Sequence, residues 1–167
     1  NNRYLTVLIF LAGISMTKIA FLMDPIETVA IKKDSTLAMI RAAQMRGMDV
    51  YYCRQEDLVI SDNRVCAYLS RLALVSHFAE ALDPASVNNG EDSWFTLASE
   101  ELMPLSTMDI VMMRKDPPFD MEYIYTTYLL ERAESEGVRV VNRPGSLRDC
   151  NEKLFATAFP ECCPPLV

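Results

Sequence analysis

The chain has 167 residues, half of them apolar and 23% charged, enough to close one hydrophobic core and at most the beginning of a second domain. Its formal charge of −7 at pH 7 argues against a surface built to grip nucleic acid or anionic membrane lipid, because both demand a basic face. Five cysteines without a CxxC pair, beside a single histidine, suggest neither a disulfide framework nor a zinc site; reduced thiols in a cytoplasmic protein with small-molecule partners fit better.

In chain order, the first feature is Leu5 to Ile14, LTVLIFLAGI, an apolar run behind Arg3. It resembles an export-signal core and is shorter than the roughly twenty residues a spanning helix needs. Because the chain starts at Asn1 and a second apolar run follows Met16, residues 1–15 are expected to be upstream sequence, with an export signal as the alternative. Lys18 to Met23, KIAFLM, is a strand candidate. Asp34-Ser-Thr then opens a helix with Leu37, Ile40 and Gln44 on one face and Gly47 as its stop. Val50 to Cys53 is the next strand and completes a βαβ unit, which implies a parallel sheet covered on both faces.

Leu58-Val-Ile, the turn Ser61-Asp-Asn63 and Val65 to Leu69 read as a hairpin. Leu72 to Ser93 has no clear period, and DPASVNNGEDS, Asp83 to Ser93, is a turn-rich loop to which no function is assigned. Asp109 to Met113 is a buried strand by length and apolarity. A helix follows from about Asp120 to Gly137, with Met121, Ile124, Tyr128 and Arg132 along one side. Val138 to Val141 is a further strand, and Ser146, with Asn151 and Lys153, begins a last helix. This alternation predicts an α/β fold with an open, mostly parallel sheet and flanking helices.

Two charged loops stand out, Asp24 to Asp34 and Arg114 to Asp120, each leaving a predicted strand at its carboxyl end, where open α/β sheets bind ligands. The second lies in MRKDPPFD, whose Pro117 and Pro118 hold the loop extended and leave it little entropy to lose on binding. Arg114 offers a planar fork to a carboxylate, and Lys32, Lys33 and Lys115 offer point charges. The aspartates either hold those cations or meet a substrate ammonium. The alternative is that Arg114 and Asp116 simply pair within a surface loop. Elsewhere, the vicinal Cys162-Cys163 pair reads as structural thiols, Cys150 as a helix packing residue and His77 as structural or solvated. Tyr123, Tyr125 and Tyr128 read as core and interface residues, and the ten methionines as core filler.

Three stretches, Met16 to Thr36, Met113 to Gly137 and Val141 to Phe159, closely resemble, in order and at similar spacing, the amino-terminal part of the bacterial glutathione synthetases, which are ATP-grasp ligases. The resemblance runs from Met16 to about Phe159, weakens between Leu58 and Asp109, and makes residues 72–93 look like an insertion. It implies a Rossmann-like pre-ATP-grasp, substrate-binding domain over residues 16–150. Residues 151–167 would then begin an ATP-grasp domain that is truncated at Val167. The reaction it implies uses ATP to phosphorylate the cysteinyl carboxylate of γ-glutamylcysteine; glycine then attacks the acyl phosphate to give glutathione, with Mg2+ bridging the nucleotide phosphates.

By the same resemblance, Lys33 and Arg114 contact the dipeptide, Asp24, Lys115 and Asp116 organise the same crevice, and Lys153 touches an ATP phosphate. Otherwise Lys153 is a solvated helix lysine. Neither a catalytic residue nor a metal ligand is expected within the chain, so alone it is expected to be inactive. The resemblance further implies a cytoplasmic homotetramer. A stand-alone α/β module that binds a small peptide without catalysis is the alternative.

Overall fold

Strand β1 (Lys18–Leu22) organises the molecule, and its side chains alternate between two separate cores. Ala20 and Leu22 point into one cluster, and Ile19 and Phe21 into the other, so the strand reads as a continuous apolar run. In this computed structural model, residues 16–31, 33–75, 94–150 and 152–164 are described, without the side chains of Glu152 and Lys153. The upstream run, Lys32, His77 and the 83–93 loop lie outside the described residues.

β1 pairs in parallel with β2 (Asp49–Cys53) on one side and with β7 (Ile110–Met113) on the other; β8 (Arg139–Val141) extends the parallel set beyond β7. Helix α1 (Ser35–Met45) connects β1 to β2, and α2 (Met121–Ser135) connects β7 to β8. The two helices cover opposite faces. Leu37, Ile40 and Ala43 of α1 pack with Phe21, Val50 and Tyr52, whereas Leu130 and Ala133 of α2 pack with Ala20, Leu22, Val111 and Met113. Both helices begin on the cap the sequence suggests: Asp34 Oδ1 accepts from Leu37 N and Asp120 Oδ1 from Tyr123 N, each at 2.9 Å. Gly47 follows α1 at φ +72°, a left-handed conformation that a side chain would strain. Gln44, on the inner face of α1, donates to Leu72 O at 2.8 Å and accepts from Leu74 N at 3.1 Å, tying the helix to the sheet.

The rest of the sheet is antiparallel and centres on β4 (Arg64–Leu74). The first half of β4 lies between β3 (Leu58–Ser61) and β6 (Glu101–Pro104); the second half lies between β2 and β5 (Phe95–Leu97). The strand order is β3-β4-β2-β1-β7-β8, with β5 and β6 also joined to β4. The fold is therefore α/β, as expected, with a mixed sheet whose parallel strands, β2-β1-β7-β8, run to the edge at β8 and whose antiparallel strands gather around β4 on the other side. The expected hairpin is β3–β4, and its turn residues Asp62 and Asn63 take φ of 48° and 60°, the left-handed pair of a tight two-residue turn.

Three local expectations differ from the structure. The side of α2 that packs is Thr126, Thr127, Leu130 and Ala133, whereas Met121 and Tyr128 are exposed. The threonines disguise this face because their polarity suggests solvent; Thr127 satisfies its hydroxyl by donating to Ile124 O at 2.6 Å within the helix. Tyr125 is also exposed, and of the three tyrosines only Tyr123 packs against the core. The final helix is two short ones, α3 (Pro144–Asp149) and α4 (Glu152–Ala156), and Cys150 is the exposed cap of α3 rather than a packed helix residue.

Candidate functional site

The chain leaves β1 and β7 in opposite directions, through α1 toward β2 and through α2 toward β8. Between two adjacent parallel strands with diverging connections, no connection crosses the carboxyl ends, and a crevice is left open there. A cleft of about 220 Å³ occupies this point, with Asp24, Lys33, Asp34, Ser35, Thr36, Arg114 and Asp116 in its wall. Both charged loops therefore face one cleft.

Arg114 is aimed from both ends. Its backbone N–H donates to Leu22 O at 2.7 Å, which continues the β7–β1 pairing by one residue. Its Nε donates to Thr36 Oγ1 at 3.0 Å and its Nη2 to Ser35 Oγ at 2.9 Å. Both acceptors are neutral, so the guanidinium is fixed without being neutralised. The expected alternative of a local Arg114–Asp116 pair is not formed. Asp116 is bound through its backbone N–H, which donates to Asp24 Oδ2 at 2.9 Å. The other oxygen of Asp24 holds Lys115 Nζ at 2.9 Å, and the same ammonium donates to Asp116 O at 2.8 Å. Asp24 and Lys115 thus clamp the loop after β7 onto the loop after β1.

Among the described residues, two cations therefore remain available in the cleft. Lys33 forms no ion pair with a described acidic residue, and among the described residues the Arg114 guanidinium meets hydroxyls only. Of the acids, Asp24 is occupied by Lys115, Asp34 caps α1, and the exposed Asp116 keeps its carboxylate. Lys115 also borders a neighbouring hollow with Gln55, Glu56, Glu122 and Tyr125. Beyond the proline pair lies a larger cavity of about 490 Å³, bounded by Phe119, Tyr123, Arg143 and Leu147. Burial raises the pKa of Tyr123 there, opposed by the nearby charges of Lys115 and Arg114. Lys153 lies in α4, and its side chain is outside the described part. Ser35 and Thr36 are the site residues that sequence reasoning missed; they stood inside the cap signal Asp34-Ser-Thr, where hydroxyls suggest helix initiation alone.

The sequence profile described as "Prokaryotic glutathione synthetase, N-terminal domain" matches residues 17–148, from just before β1 into α3. The chain belongs to this family. The curated glutathione synthetase of Pseudomonas putida is 49% identical over 148 residues, which cover 89% of this chain and 43% of that protein. For the glutathione synthetase of Pseudomonas syringae pv. tomato the identity is 51% over 148 residues, covering 89% and 42%. For that of Vibrio parahaemolyticus it is 46% over 152 residues, covering 91% and 44%. The chain thus spans less than half the length of these relatives. The family match includes both charged loops and the whole wall of the cleft. Among the described residues, no group of three histidine, cysteine or acidic side chains is placed to hold a metal ion, and no helix is long and apolar enough to cross a membrane.

Proposed function

We propose that this chain forms the dipeptide-binding wall of a glutathione synthetase, a ligase that joins γ-glutamylcysteine to glycine at the expense of ATP. The observation that carries this reading is the pair of unneutralised cations, Lys33 and Arg114, held beside the uncommitted carboxylate of Asp116 in one cleft. A γ-glutamyl group ends in an α-carboxylate and an α-ammonium, so it needs both signs within a few ångströms. Arg114 and Lys33 take the carboxylate and Asp116 takes the ammonium, while Asp24 and Lys115 keep the loop in register.

ATP, when bound, activates the cysteinyl carboxylate as an acyl phosphate, with Mg2+ offsetting the charge of the transferred group. What the chain contributes is orientation: a dipeptide held at its γ-glutamyl end presents its far carboxylate in a fixed place, which lowers the entropic part of the barrier. The same reading takes residues 16–150 as the substrate-binding domain and residues 151–167 as the start of the nucleotide-binding part, where Lys153 would meet a phosphate. It also takes the assembly as a cytoplasmic homotetramer.

The test uses the whole protein that carries this chain. Phosphate release from ATP is expected only when both γ-glutamylcysteine and glycine are present. Arg114→Ala should raise the apparent KM for the dipeptide by about tenfold or more while leaving that for ATP nearly unchanged, because a charged hydrogen-bonding partner is worth roughly 1.5–3 kcal/mol. An unchanged dipeptide KM would remove Arg114 from the site.

A further inference from the structure

An arginine guanidinium has two forks of parallel N–H groups, one along its Nε/Nη2 side and one at its Nη1/Nη2 end, and each can meet a carboxylate with two bonds. In Arg114 the side fork is already engaged. Nε donates to Thr36 Oγ1 at 3.0 Å and Nη2 to Ser35 Oγ at 2.9 Å, across sequence separations of 78 and 79 residues. Two anchored points fix the plane of the group and leave the end fork to the cleft.

The anchors are themselves well placed. Ser35 and Thr36 are the first two residues of α1, and the Asp34 carboxylate fixes that turn by accepting from Leu37 N. Thr36 is 4% exposed, so its β-branched side chain has little room to rotate. Being neutral, the hydroxyls aim the cation without cancelling its charge, as an aspartate in their place would.

We propose that Thr36 and Ser35 are positioning residues, which present the end fork of Arg114 to the α-carboxylate of the γ-glutamyl group. This rests on the reading of Arg114 as a dipeptide contact. Neither hydroxyl needs to touch the substrate; each acts by keeping an otherwise flexible side chain in its binding conformation, which reduces the entropy lost on binding.

The test is steady-state kinetics of the full-length enzyme with Thr36→Val, Thr36→Ser, Ser35→Ala and Arg114→Ala, alone and with each hydroxyl variant combined with Arg114→Ala. Thr36→Val keeps the shape and deletes the acceptor, so it is expected to raise the dipeptide KM about three- to tenfold, the scale of one modest hydrogen bond. The KM for ATP should stay constant, and Thr36→Ser should restore the dipeptide KM. In the Arg114→Ala background the hydroxyl variants should add less than about twofold, since nothing is left to aim. If Thr36→Val fails to fold, Ser35→Ala, at an exposed position, carries the same comparison.

A raised dipeptide KM in Arg114→Ala with none in the hydroxyl variants would overturn the positioning role and leave the site reading intact. Equal effects of the hydroxyl variants with and without Arg114 would also overturn it, since the hydroxyls would then act independently of the guanidinium. No effect of Arg114→Ala itself would remove both readings.

Discussion

Tyr52 and Cys53 are neighbours on β2 that face opposite cores, and neither core welcomes a charge. Burial pushes the Cys53 thiol well above its ordinary 9.0, with Asp57 adding to the effect. Burial also pushes Tyr52 up from 10.0 to about 12, against a backbone hydrogen bond involving Ile26 that lowers it. A folded state that holds its protons more tightly keeps its full stability below the unfolded pKa and loses it as pH rises toward the folded value. Stability should therefore be level to about pH 9 and then fall, by roughly 1.4 kcal/mol per pH unit from the thiol alone. Urea midpoints at pH 8 and pH 10 test this, with Cys53→Ala expected to show the shallower decline. A midpoint that did not move up to pH 10.5 would mean that the thiol ionises without unfolding the chain.

Helix α2 carries the clearest contrast between apparent and real apolarity. Leu130 and Ala133 are fully buried, whereas Tyr128 is half-exposed beneath the guanidinium of Arg148, 4.4 Å from its ring centre. Leu130→Ala should cost about 2–5 kcal/mol, as expected for a buried cavity, and Tyr128→Ala no more than about 1 kcal/mol, the worth of an exposed cation–π contact. Chemical denaturation of the two variants decides which face of α2 packs; equal losses would contradict the arrangement. The C-terminal end of this helix also anchors the β3–β4 turn. The Glu136 carboxylate accepts from Val65 N at 3.2 Å, and Arg132 Nη2 donates to Asn63 O at 2.6 Å and to Asn63 Oδ1 at 2.8 Å. Glu136→Ala leaves the Val65 N–H without its acceptor and should cost about 1–3 kcal/mol, read from the same curves.

At the scale of the whole molecule, β4 joins the two cores. Val65, Ala67 and Leu69 belong to the cluster under α2, and Leu72 and Leu74 to the cluster under α1. The two should therefore unfold together. Fluorescence of Trp94, the only tryptophan, packed against the α1 cluster, and far-ultraviolet circular dichroism of the whole chain are expected to give superimposable transitions. Separated midpoints would mean that each core melts by itself. Much of this architecture was legible beforehand. The runs that become β1, β2, β7 and β8, the caps at Asp34 and Asp120 and the turn at Asp62-Asn63 are local signals, set by side-chain chemistry within a few residues. So was the placing of Asp24, Lys33, Arg114, Lys115 and Asp116 in strand-end loops, because charge and proline at the end of an apolar run is a pattern within one segment. Strands β5 and β6 escaped notice because they are three and four residues long and mostly exposed, and form only by pairing with β4. The partners of Arg114 escaped for the same kind of reason. By itself the sequence determined the longer elements and the family, which depend on residue types and spacing along the chain. Only the tertiary structure decided that Asp24 spends its charge on Lys115 while Arg114 keeps its own, because that depends on which distant segments the sheet order brings side by side.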